Sequence, residues 1–360
     1  MIIRLLLVYT VSAFIVAFAQ VNPIHHGLKK ILVDYQLPGI GVATITPQNP
    51  LQIEVAGLRR ADHPATIKSN DLFNLASCTK SMTATLAAII VESGLISWKT
   101  TLGELYPLSH PNLRNVTLEM ILAHRGGILR SPTSIKKGKF WKKIKNKRLT
   151  TKASRDLLVK KILKSKPSLT PGSTFSYSNI GYAVVAHMLE TVTESSYENL
   201  MREKIFSPLG MNKCIFGQPA HKENSKNPLQ PWGHRHKKGI SVVSENPNSA
   251  GKGPKPLNSA GGVSCSLKDW AKYAQVHQEK NRLLQKRSFK KLHSNYPGQN
   301  YTYGGWYKTQ NTLRHTGAQK SNYSAVSINL KKHSIKLFVT NWRGKNAKQI
   351  VKEIYDLLDL

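Results

Sequence analysis

Acidic residues are scarce in this chain of 360. Only 19 Asp and Glu stand against 53 Lys and Arg, a formal net charge of +34 at pH 7. A surface so basic attracts polyanions, with an affinity that salt weakens. Cysteine is sparse too. The three residues Cys78, Cys214 and Cys265 exclude a disulfide-stapled miniature scaffold. Beyond the N-terminal segment no apolar run approaches the roughly 20 residues that span a bilayer, which excludes a polytopic membrane protein. Gly-x-Ser-x-Gly, His-Glu-x-x-His, Cys-x-x-Cys and Gly-x-x-x-x-Gly-Lys are all missing. Those absences count against α/β-hydrolases, zinc proteases, zinc fingers and P-loop proteins. Hydrophobic residues make up 40%. That suffices for a core, because a chain of this length buries about three quarters of its unfolded surface.

The N-terminus reads as a targeting segment. Arg4 precedes an apolar stretch from Leu5 to Phe18, and Ala17-Phe18-Ala19 is a small-x-small cleavage site. Residues 1–19 are expected to be a signal peptide removed after Ala19, with an uncleaved anchor as the alternative. Export would allow disulfides. One pair can form, Cys214 with Cys265 for example, and the sequence does not choose it.

Ile24, Leu28, Ile31, Leu32 and Tyr35 recur at helical spacing over 23–36. Two β-rich runs, 39–46 and 51–56, flank Pro47-Gln48-Asn49-Pro50 and predict a hairpin. Met82, Leu86, Ile89 and Ile90 predict a helix over 77–93, stopped by Gly94. Residues 100–270 read mostly as short helices and loops, among them 118–122 and 182–193. Residues 222–259, rich in Asn, Ser, Gly, Pro and Lys, read as one long loop. Strands return at 303–307, 323–330 and 335–340, and Ala347, Ile350, Val351, Ile354 and Leu358 mark a last helix with one buried stripe. The expected architecture is α+β. A mainly antiparallel sheet built from 20–99 and 266–360 is flanked by helices, with a helical subdomain at 100–265 inserted.

Ser77-Cys78-Thr79-Lys80 is the strongest chemical signal. Ser77 falls where a helix begins, so free N–H groups and the positive end of the dipole surround its oxygen. Lys80 lies one turn away on the same face. Buried there, its amine could lose its proton and act as base on the serine. A helix N-cap is the plain alternative for Ser77. Ser-x-x-Lys recurs at Ser134–Lys137, Ser249–Lys252 and Ser288–Lys291, as a lysine-rich chain makes inevitable. Tyr177-Ser178-Asn179 supplies a phenol to relay a proton and an amide to hold a carbonyl or the lysine. Tyr197 and Asn199 repeat that spacing on an expected helix. His315-Thr316-Gly317 offers an imidazole as cation or proton donor. Its glycine lets backbone approach a ligand, and the N–H beyond it could join that of Ser77 in an oxyanion hole.

Taken in order, Ser-x-x-Lys, Tyr-x-Asn and His-Thr-Gly resemble the serine β-lactamase-related family: class C β-lactamases, D-alanyl-D-alanine carboxypeptidases, D-aminopeptidases and esterases. The stretches 116–127, 206–211 and 259–263 support the resemblance, which covers roughly 25–358. It implies a β-lactamase/transpeptidase-like fold and an acyl-enzyme on Ser77, with Lys80 as general base and Tyr177 as proton shuttle. Asn179 would bind substrate and orient Lys80. The N–H groups of Ser77 and Ala318 would form the oxyanion hole, and His315, Thr316 and Gly317 would line the site. No metal or cofactor is implied. Class C β-lactamases usually carry Lys where His315 stands, which argues against an efficient β-lactamase.

Residues 131–167 hold fourteen Lys and Arg and one acid, Asp156. This basic insertion interleaves Phe140, Trp141 and Ile144 with lysines. It could lie on an anionic membrane or polymer surface, rim the cleft, or be merely solvated. Nucleic acid is a poor partner for an exported chain. The expected function is an exported serine hydrolase cleaving an amide or ester bond in a small-molecule or peptide substrate. A short-chain esterase and a non-catalytic basic binding protein are the alternatives.

Overall fold

The computed structural model describes residues 22–130, 139–144, 146, 148–219, 228–237, 239–244, 255–278 and 283–359. The expected signal peptide, Ser134–Lys137 and Ser249–Lys252 lie outside them.

The chain enters through α1 (Pro23–Asp34). Asn22 caps this helix by accepting the N–H groups of Ile24 and His25, and Pro23 occupies a position whose N–H would be orphaned anyway. The expected hairpin follows as β1 (Gly39–Ile45) and β2 (Gln52–Arg60), then β3 (His63–Thr66) and β4 (Phe73–Asn74). A 3₁₀ turn, Ala76–Cys78, leads into α2 (Thr79–Glu92). Helices α3 (Leu102–Leu105), α4 (Leu118–Leu122), α5 (Lys139–Ile144), α6 (Thr151–Leu163), α7 (Asn179–Thr193) and α8 (Tyr197–Met201) follow in the middle of the chain. Then come β5 (Cys214–Phe216), β6 (His234–Lys237), β7 (Ile240–Val243), α9 (Asn258–Gly261), β8 (Val263–Cys265), α10 (Leu267–Gln275) and α11 (Lys286–Leu292). The C-terminal part supplies β9 (Tyr307–Thr309), β10 (Thr312–Ala318), β11 (Tyr323–Asn329), β12 (Ser334–Thr340), β13 (Trp342–Arg343) and α12 (Ala347–Leu357).

Seven strands form the main sheet in the order β3-β2-β1-β12-β11-β10-β9, every pair antiparallel. The two chain ends join where β1 pairs with β12, Ile40 opposite Thr340 and Ile45 opposite Ile335. Period-two alternation sends Ile40, Val42 and Phe338 into a layer with α1 and α12, and Ala43, Leu337 and Val339 into the larger core. This is the β-lactamase/transpeptidase-like architecture. Helix α2 runs through the larger core with eleven of its fourteen residues buried. Its polar side chains must therefore find partners inside. The Thr83 hydroxyl meets that of Tyr197 at 2.8 Å and Thr85 that of Tyr273 at 3.0 Å, while Ser81 donates to the Cys78 carbonyl.

Three expectations need correction. The strand placed at 303–307 is a turn through Gly304 and Gly305, because Gly305 has a φ of +77° and fits its backbone against Lys80 and Ser81. The strand itself begins at Tyr307. The long loop at 222–259 contains a hairpin, β6 and β7, turning at Gly239 (φ +79°). In the basic stretch, Phe140 packs on the core, Ile144 is fully buried, and α6 buries Arg155, Leu158, Val159 and Ile162. Those apolar side chains therefore face the protein and are not available to an anionic surface; the Trp141 side chain lies outside the described residues.

Cys214 and Cys265 stand opposite each other on β5 and β8 and are joined by a disulfide, while Cys78 is free and buried.

Candidate active site

The backbone before α2 sets the geometry. Ala76 carries a φ of +45°, left-handed for a residue with a Cβ, and the Asn74 side chain holds its N–H at 2.9 Å. The strained residue swings Ser77 out at the start of the turn, where an N–H finds no carbonyl one turn back. Ser77 is not the N-cap. Cys78 occupies that position without a side-chain cap bond, so the Ser77 hydroxyl is free for other work.

Lys80 is fully buried and has no acidic partner among the described residues. Its Nζ lies 3.2 Å from Ser77 Oγ and donates to Asn179 Oδ1 at 2.7 Å and to the Ala260 carbonyl at 2.6 Å. Desolvation pulls the amine down from its ordinary 10.5 to about 7. Near neutral pH a large share of it is an uncharged base.

Tyr177 and Asn179 arrive together because α7 begins between them. Ser178 caps the helix by accepting the Gly181 N–H at 2.9 Å. That fixes Asn179 in the first turn beside Lys80 and leaves Tyr177 on the approach. The Tyr177 ring lies 4.7 Å from the Lys80 ammonium nitrogen. Burial raises its phenol well above the usual value, and a hydrogen bond with Ser77 offsets part of the rise. Tyr177 therefore stays protonated and can donate.

Strand β10 forms the facing wall. β9 pairs with it only at Thr312 to Arg314, so the edge from His315 to Ala318 is open toward the cleft. A Cβ on Gly317 would run into the Leu75 carbonyl and the Ser324 hydroxyl. Only glycine lets the strand sit this close to the turn at Leu75 and Ala76, which Ser77 follows directly. Thr316 is exposed along a cleft of ≈ 450 Å³ lined by Arg130, Phe175, Tyr177, Tyr307 and His315.

His315 departs from the expectation of a cation or proton donor. Its ring is buried. Desolvation and the nearby Lys80 push it down to about 3, against a small opposing contribution from the Thr316 carbonyl. Nδ1 lies 2.8 Å from that carbonyl and Nε2 3.5 Å from the Tyr301 hydroxyl. A carbonyl can only accept, so the proton sits on Nδ1 and the ring is neutral.

The structure thus brings Ser77, Lys80, Tyr177, Asn179 and the His315–Ala318 strand together. The two decoys among the described residues fall away. Lys291 of the Ser288 pair bonds to Glu119 at 2.6 Å, and Tyr197 is buried against Thr83. Sequence reasoning gave no role to two contributors. The Ala260 carbonyl is backbone and leaves no side-chain signal, although 259–263 stood out as a stretch. His124, left-handed at φ +60°, accepts the Ser178 N–H at 3.0 Å and stacks 4.4 Å from the Tyr177 ring.

A family model described as Beta-lactamase matches residues 18–359. Unguisins hydrolase ungD' of Aspergillus campestris (strain IBT 28561) is 26% identical over 263 residues, 69% of this chain and 45% of that protein. The second fungal relative, ungD of Aspergillus violaceofuscus, is covered over 31%, so the chain spans less than half the length of these two curated relatives. Putative penicillin-binding protein PbpX of Bacillus subtilis (strain 168) is 26% identical over 308 residues, 84% of this chain and 71% of its own length. The solved D-amino acid amidase of Ochrobactrum anthropi SV3, complexed with D-phenylalanine, superposes with a TM-score of 0.71 at 18% identity, covering 93% of this chain and 99% of that one. With a family model running over nearly its whole length, on a serine-hydrolase-like fold, the chain belongs to the beta-lactamase family.

Proposed function

We propose that the protein is an exported serine hydrolase that cleaves an amide or ester bond through an acyl-enzyme on Ser77. The observation that carries this reading is the buried Lys80 amine, about 7 in pKa, within 3.2 Å of Ser77 Oγ and held by two oxygen acceptors. An amine in that state takes the serine proton as the oxygen attacks the substrate carbonyl. The negative charge on the tetrahedral oxygen falls between the N–H groups of Ser77 and Ala318. The neutral Tyr177 phenol donates a proton to the departing group and recovers one from the Lys80 ammonium. Water then attacks the acyl-serine, with the same groups moving protons in reverse. Asn179 orients the amine and meets the substrate. The likeness to a D-amino acid amidase favours an amide as the scissile bond. The Cys214–Cys265 disulfide favours an oxidising compartment, and so export; cleavage after Ala19 is proposed from the small-x-small pattern at Ala17–Ala19.

Incubation with a fluorophosphonate tests the reading. A single adduct should map to Ser77 and vanish in Ser77→Ala. An unmodified mass across fluorophosphonates, penicillins and activated esters would refute it and leave a binding protein on the same fold. Comparing p-nitrophenyl esters, D-amino acid amides and D-Ala-D-Ala peptides then separates an esterase from an amidase or carboxypeptidase.

A further inference from the structure

One cation of the basic stretch is not on the surface. Arg155 is fully buried, and α6 carries it inward beside Leu158, Val159 and Ile162. Its guanidinium donates to Glu190, to Glu198 Oε1 at 2.6 Å and to the Pro256 carbonyl at 3.1 Å. A buried ion cluster is weak evidence of stabilisation, since desolvating each charge costs several kcal/mol. What the cluster holds is more informative.

Pro256 and Asn258 flank one short piece of chain. The Asn258 amide donates to Glu198 Oε1 at 3.0 Å, so the carboxylate ties Arg155 to the first residue of α9. The same four-residue turn presents the Ala260 carbonyl that receives the Lys80 amine. A second tether arrives from the other side. Glu190 accepts the Tyr197 N–H at 2.9 Å, the Tyr197 hydroxyl meets Thr83, and Thr83 donates to the Ser259 carbonyl at 2.7 Å. The turn is thus gripped at Pro256, Asn258 and Ser259, and its free carbonyl points at the amine.

We propose that Arg155, Glu190 and Glu198 form a positioning cluster whose role is to hold the Ala260 carbonyl in place, so that the Lys80 amine is aimed at Ser77. This rests on Lys80 acting as the general base. Among the described residues none of the three hydrogen-bonds to a cleft-lining group, and they act on the reaction through the α9 turn.

The test uses the full chain with an activated ester, three variants and three readouts. Glu198→Ala removes the tie to Asn258. Glu198→Gln keeps an oxygen for both partners without the charge. Asn258→Ala cuts the same tie while leaving the ion cluster intact, and so serves where Glu198→Ala fails to fold. A small misplacement of a catalytic group costs on the order of 10–100-fold in rate. Glu198→Ala and Asn258→Ala should therefore lower kcat by about that factor with KM moved less than threefold. The acid limb of the kcat profile should move to higher pH, as a loosened turn lets water reach the amine. Glu198→Gln should restore most of kcat and return the limb. Unchanged kcat and limb in a folded Glu198→Ala or Asn258→Ala would overturn the proposal. So would a loss of kcat that glutamine does not rescue. Failure of the underlying reading looks different: wild type would then show no acid limb near neutrality, and Lys80→Met would keep its activity.

Discussion

Burying Lys80 as a neutral amine leaves a thermodynamic trace that can be read without any substrate. The amine sits at about 7 in the folded chain, against its ordinary 10.5. Between those values the unfolded chain binds one proton more than the folded one. Stability must then rise with pH through that window, by about 1.4 kcal/mol per pH unit. Lys80→Met fills the site with a side chain of similar length and no ionisation. The Lys80 charge also pushes His124 and His315 down, but burial keeps both neutral above pH 7 with or without it, so in that window the other contributions largely cancel in the difference. Measured by urea unfolding, wild type should gain about 2 kcal/mol relative to Lys80→Met between pH 7.5 and pH 9. Over about pH 6 to 9 wild-type kcat/KM should rise through an acid limb near pH 7 and level off, because only the uncharged amine can accept the serine proton. Met removes the base and should lower kcat by about 10³-fold or more. A difference in stability that is flat with pH would refute the argument from desolvation, and equal turnover in Lys80→Met would refute the assignment of the base.

His315 is held neutral, at about 3, so His315→Gln should lower activity yet leave the acid limb where wild type has it; a pH–rate profile checks this. Gly317→Ala drives a Cβ into the Leu75 carbonyl and Ser324 and should cost about 1–3 kcal/mol in urea unfolding. Because the strand must move away from Ser77, kcat should also fall by about 10²-fold or more. The disulfide closes a separation of 51 residues, and Cys214→Ser with Cys265→Ser should cost up to about 4 kcal/mol on chain-entropy grounds. A thiol titration of wild type should find no reactive cysteine in the native state and one after denaturation, because Cys78 is buried and its thiol is pushed up to about 12.

Local spacing carries information only about groups that local structure brings together. Ser77 and Lys80 were legible because one helical turn separates them, and Tyr177 and Asn179 because a capped helix begins between them. The sheet was legible because β-rich runs bounded by turn residues lie at both chain ends. The state of His315 was not, since its neutrality comes from burial between Lys80 and Tyr301, residues 235 and 14 positions away in the chain. The Ala260 carbonyl was invisible for a different reason: any residue brings one. Arg155 is the instructive miss. Among fourteen cations it reads as one more solvated charge, yet Leu158, Val159 and Ile162 follow it at three, four and seven positions. That spacing puts the guanidinium on the apolar stripe of its helix, where a cation must find acids. A charge falling on a buried stripe is therefore a local signal of a non-local network, and here that network ends at the lysine that the proposed chemistry needs.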